Sequence, residues 1–140
     1  MSLTAEGALR AYATMMNTLD VSSLEPLLAD DFHYASQWVL AEIESRSAYL
    51  EYIVPKLEAT RTSGATAWAE TGWLNQEFPG PCVVMAQGNK DNLLAVVLAK
   101  VESEKIKRLD FCFAPSPHAA IRSGEYPGRS KSERLAVERP

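Results

Sequence analysis

The chain has 140 residues, 46% of them apolar, enough for one hydrophobic core and one domain. Fourteen Lys and Arg against eighteen Asp and Glu give a formal charge of −4, and an acidic body without a basic stripe argues against nucleic acid as a partner. No apolar run reaches the ~20 residues that cross a bilayer, and the start MSLTAEGALRAY lacks the basic and apolar blocks of a signal peptide, so a cytoplasmic protein with no membrane partner is expected.

In chain order, Leu9, Tyr12, Ala13 and Met16 recur at the spacing of an amphipathic helix running from Thr4, its N-cap, to about Asn17. A second, shorter helix is expected from Ser22, which has capping-box spacing to Glu25, and should end by Ala29, before Asp30 and Asp31. FHYASQW, residues 32–38, reads as a short strand rich in aromatic side chains. A third helix carries Tyr49, Tyr52, Ile53 and Leu57 on one face, with Ser45 or Ser47 as cap and Gly64 as stop. Pro55 inside it should kink it or split it in two.

After Gly64 the segments ATAWAETGWLNQEF, PCVVMAQG, NLLAVVLAKVES and KIKRLDFCF are separated by turn signals, which predicts four strands in an antiparallel meander. The fold class is therefore α+β, a single domain over residues 4–114 with three N-terminal helices and a short strand packed on the meander. In the two middle strands both alternating faces are apolar, so both faces need cover. The helices cover one; a homodimer through the outer sheet face would cover the other, the rival being the tail folded back over it. That tail, residues 115–140, holds five basic and three acidic residues, leaving nine and fifteen in the body; it is expected to pack on the body or on a partner subunit.

Cys82 and Cys112 stand alone in apolar runs and read as free buried thiols, not metal ligands. Asp30 and Asp31 read as turn formers, so neither a metal nor a cofactor is expected. Strand alternation that points Ser36 inward also points Tyr34 and Phe32 inward and sends His33 outward. His33 is then either a general base near neutral pH or a structural histidine. Glu70, between Trp68 and Trp73, is either a carboxyl desolvated by indole rings or an ion-paired one. Arg108 and Asp110 share the strand face opposite Leu109 and read as charges of the outer, dimer face.

This order of elements, together with YATMMNTLDVSSLEPLLADDFHYAS (Tyr12 to Ser36) and the helix start SRSAYLEYI, resembles the nuclear transport factor 2-like superfamily over residues 4–113. That superfamily includes SnoaL-like polyketide cyclases and ketosteroid isomerases. The resemblance implies a cystatin-like cone on a curved sheet, with an interior cleft for a small, mostly apolar molecule. It places Tyr12 where the isomerases keep a tyrosine that donates to the developing enolate oxygen. Their general-base aspartate would fall on Ser36, whose hydroxyl cannot hold a proton abstracted from carbon, and the protonated acid of their oxyanion hole would fall near Val97, where no carboxyl is present. Ketosteroid isomerisation is thus disfavoured. The chain reads as a ligand-binding cone, with a cofactor-free lyase, cyclase or isomerase as its catalytic version and an association module as the alternative. Tyr12, Glu70 and His33 are the catalytic candidates; Met16, Phe32, Tyr34, Ser36, Trp38, Tyr52 and Trp68 are the ligand-binding ones.

Overall fold

The computed structural model of the chain describes residues 2–39, 42–75 and 79–129. Helix α1 (Ala5–Thr18) begins where the Thr4 hydroxyl accepts the Gly7 N–H at 3.0 Å. It ends on Leu19, whose φ of 58° is costly for a branched side chain and whose carbonyl is held by the Arg61 guanidinium at 2.6 Å. The short second helix takes the form of two 3₁₀ turns, Val21–Ser23 and Glu25–Leu27. The chain is already extended at Leu28, which leaves too few residues for an α-helical ladder, and Asp20 rather than Ser22 supplies the cap by accepting the Ser22 N–H at 2.9 Å.

Strand β1 (Leu28–Ser36) starts earlier than its aromatic run suggests and is followed by a two-residue strand β2 (Glu42–Ile43). Helix α2 (Arg46–Ser63) is capped by Ser45, which accepts the Ala48 N–H at 3.1 Å, and stops at Gly64, where φ is 75°. It runs unbroken through Pro55. Both Pro55 and Glu51, whose carbonyl loses its helical donor there, are exposed, so water can take over the missing bond.

Strands β3 (Ala67–Leu74), β4 (Gly80–Gln87), β5 (Leu93–Glu102) and β6 (Lys105–Cys112) form the expected antiparallel meander, although residues 76–78 of the first segment lie outside the described residues. β1 joins β6 in parallel, so the curved, unclosed sheet of seven strands is mixed, in the order β2-β1-β6-β5-β4-β3-β7. Asp30 and Asp31 therefore sit inside a strand, not in a turn, and Asp31 pairs with Lys107 on β6. Ala69, Val83, Met85, Ala95, Val97 and Leu109 face α1 and α2 in the main core.

The outer face of β3, β4 and β5 is covered within the single chain by residues 115–129, while the β1 and β6 part of that face, with His33, Arg108 and Asp110, is left partly exposed. Strand β7 (Ile121–Arg122) pairs with the edge of β3, where a Cβ on Gly72 would lie 3.0 Å from the Ile121 carbonyl, so glycine is what lets the two backbones meet. Tyr126 meets the fully buried Trp68 edge-on at 5.5 Å, and the Arg129 guanidinium lies 3.9 Å from the centre of the same indole. Glu70 is buried beneath this strap. Its carboxylate accepts the Arg122 Nε at 2.6 Å and the Gly124 N–H at 2.7 Å. Cys82 and Cys112 are free thiols on this covered face, and burial pushes the Cys82 thiol up to about 11. Residues 130–140 of the tail lie outside the described residues.

Asn17 at the end of α1 joins three elements. Its amide donates to the carbonyls of Ala69 and Pro127, each at 2.8 Å, while its oxygen accepts the Ala69 N–H at 2.8 Å and the Arg129 Nε at 3.3 Å. All four bonding positions of the amide are thereby used. Asn17→Ala leaves buried backbone groups on β3 and the strap without partners and should cost about 3 kcal/mol in urea unfolding. A loss below about 1 kcal/mol would mean that water replaces the amide.

Candidate functional site

Tyrosines from three elements pack together in the interior of the cone. α1 points Tyr12 inward, with Met16 one turn on at its half-buried end; β1 contributes Phe32 and Tyr34 by alternation; α2 contributes Tyr49 and Tyr52 from adjacent turns. The Tyr49 ring lies 5.0 Å from Phe32, 5.2 Å from Tyr34 and 6.2 Å from Tyr52, and Tyr34 lies 5.8 Å from Tyr52. These separations are those of interlocked edge and tilted aromatic pairs.

The hydroxyls differ in how they are satisfied. Tyr52 accepts from the Lys56 ammonium at 2.9 Å, four residues along the helix. Burial raises the pKa of Tyr34, Tyr52 adds to the rise and Ser36 partly offsets it. Tyr49 is fully buried, and its hydroxyl has no hydrogen-bond partner among the described residues. Burial also drives the pKa of Tyr12 and Tyr49 well above the ordinary phenol value, with the neighbouring tyrosines adding to the shift. The group is thus a set of neutral O–H donors in a low-dielectric interior, suited to an acceptor oxygen and unsuited to removing a proton from carbon.

The structure brings Tyr12, Met16, Phe32, Tyr34 and Tyr52 into one cluster, with Ser36 at its edge, where the serine hydroxyl also accepts the Trp38 N–H at 3.2 Å. It separates the other candidates from them. Trp38 is 56% exposed beyond the end of β1 and meets Phe113 edge-on at 5.3 Å. Trp68 and Glu70 lie on the outer face under the strap, because Ala69 between them takes the inward position. His33 points outward, as alternation predicts, beside Glu42 and Glu44. Arg108, on the same side, binds Glu42 and both oxygens of Asp110. Among the described residues of the tyrosine cluster there is no carboxylate and no imidazole; Val97, near the position of the isomerases' second acid, is a fully buried core residue. The member missing from the predicted site is Tyr49, whose helical spacing marks it equally well as core.

No protein-family model matches the chain, and no curated protein matches it. Solved structures do. The chain is similar to an NTF2-like protein of unknown function from Cytophaga hutchinsonii (13% identity, TM-score 0.55, covering 82% of this chain and 96% of that one). It is also similar to a SnoaL-like protein of unknown function from Burkholderia thailandensis (12% identity, TM-score 0.56, 80% and 98% covered). A third is a protein from Kribbella flavida, provisionally assigned as a ketosteroid isomerase (20% identity, TM-score 0.54, 97% and 89% covered). At these identities the likeness is one of fold: the chain has the nuclear transport factor 2-like cone that its sequence resembles.

The buried phenols make alkaline stability a readout of the cluster. Their folded pKa values exceed the unfolded value near 10, so the folded state keeps protons that the unfolded state gives up. The stabilisation is complete below pH ~10 and is lost as pH rises above it. Tyr12→Phe should flatten this loss in denaturation midpoints measured from pH 8 to 11.5. An unchanged slope would mean that Tyr12 ionises as freely in the fold as outside it.

Proposed function

We propose that the cone binds a small, largely apolar molecule that carries an acceptor oxygen, held by the phenols of Tyr12, Tyr34, Tyr49 and Tyr52 with Ser36 near the edge and Phe32 and Met16 as apolar contacts. The observation that carries this reading is the Tyr49 hydroxyl. A phenol O–H taken out of water without a partner costs about 1–3 kcal/mol, and a ligand oxygen would recover that cost. The similar SnoaL-like and ketosteroid-isomerase-like structures share the cone fold in which this reading places the ligand. Binding is favoured over proton-transfer turnover because the two titratable candidates, His33 and Glu70, lie on the other side of the sheet from Tyr12.

Tyr49→Phe separates this reading from a cone filled only by its own side chains. The variant should be at least as stable as wild type without ligand, since it loses an unpaired hydroxyl. It should bind carbonyl-bearing aromatic polyketides about three- to tenfold more weakly than wild type does, one neutral hydrogen bond being worth about 1 kcal/mol. The carbonyl-free counterparts should bind both forms alike. Calorimetric titration of such compound pairs gives the comparison. A Tyr49→Phe protein less stable than wild type, or a panel without a single binder, would sink the proposal.

A further inference from the structure

Strands β1 and β2 pair antiparallel, with Tyr34 opposite Ile43 and Ala35 opposite Glu42. The same register carried one residue further sets Glu44 across from His33, with Glu42 diagonal to it on the same outward face. His33 Nε2 lies 3.4 Å from Glu44 Oε1 and 3.8 Å from Glu42 Oε2, and one ligand atom from each of the three residues falls within 4.8 Å of the others. Four ligands around zinc at ~2.0–2.1 Å stand about 3.3 Å apart, so the two histidine–carboxylate distances are close to a tetrahedral edge. The remaining edge can close by rotation of Glu44, whose side chain is 74% exposed.

Glu42 is held in position from behind. Its Oε1 accepts the Arg108 Nη2 at 3.1 Å, and the Nε of the same guanidinium lies on both oxygens of Asp110 at 3.0 and 3.1 Å. Asp110 balances the charge of Arg108, and Glu42 is left with Oε2 turned to His33, the arrangement by which an outer partner orients a metal-ligating carboxylate. One imidazole and two carboxylates suit a borderline divalent ion better than a hard one.

We infer that His33, Glu42 and Glu44 form a surface site for a divalent transition-metal ion of the zinc type, with three protein ligands and a coordination position open to solvent. The site is independent of the tyrosine cone, from which it is separated by the sheet. Titrating zinc chloride into the full, chelator-treated chain at pH 7.5 and reading the heat tests it. One zinc per chain should bind and be stripped by EDTA. His33→Ala and Glu44→Gln should each weaken binding about tenfold or more, with unchanged circular dichroism spectra because both side chains are solvent-accessible. His118→Ala, at an exposed position of the 3₁₀ turn Pro117–Ala119 after β6, should bind as wild type does. Wild type that takes up no zinc, or a His33→Ala protein that binds it equally well, would overturn the assignment and leave a histidine bridged to two carboxylates as an ion pair.

Discussion

Asn17 is the point at which the cone is tied shut. A helix end, the backbone of an edge strand and the returning C-terminal strap all meet at one side-chain amide, which satisfies both polar groups of Ala69 and holds Pro127 and Arg129 as well. Edge strands expose unpaired backbone groups, and here they are closed from two directions: Asn17 takes Ala69, and the strap takes Thr71 through the Glu125 carbonyl and the Ser123 N–H. This contact fastens the C-terminal end of α1 to β3, while the apolar face of the helix, Tyr12 included, packs in the core.

A second constraint follows from β4 and β5, which are apolar on both sides. Val83, Met85, Ala95 and Val97 are buried against the helices, while Val84 and Val96 are buried on the opposite face. The argument for a second copy of the chain rested on that opposite face needing cover. Residues 115–129, fastened by Glu70, Arg122, Trp68 and Tyr126, bury Val84 and Val96 from within the chain, and the β1 and β6 part of the face stays partly exposed. A buried carboxylate here is a fastening, not a reactive group: Arg122 and Gly124 occupy both its oxygens.

What was legible in the sequence was local. The spacing of Leu9, Tyr12, Ala13 and Met16, the caps at Thr4 and Ser45, the stop at Gly64 and the alternation in β1 are properties of neighbouring residues, and all appear in the structure. What was hidden depends on long separations. The partner of Glu70 is 52 residues away, so the strand pattern alone leaves open both its face and its charge state. Trp68 and Trp38 read as pocket walls because they are aromatic; one is turned to the other face by Ala69, and the other lies past the end of its strand. His33 and Glu44 share no motif spacing, and only the β1–β2 register brings them face to face. That Tyr49 is buried could be read from its helix face, but that its hydroxyl lacks a partner could not.

The placement of β1 has a consequence for how the chain assembles. Its neighbours in the sheet are the two-residue β2 and the distant β6, so residues 28–36 find their main partner only among residues 106–111. Such non-local parallel pairing carries a large loop-closure cost and forms late. During synthesis α1, β1 and α2 emerge with Tyr12, Tyr34 and Tyr49 already made but with no complete sheet to close over them. The aromatic interior therefore stays open until β6 has left the ribosome, and the strap that seals the far side comes later still. The aromatic face made by the first half of the chain thus depends for its cover on strands from the second half.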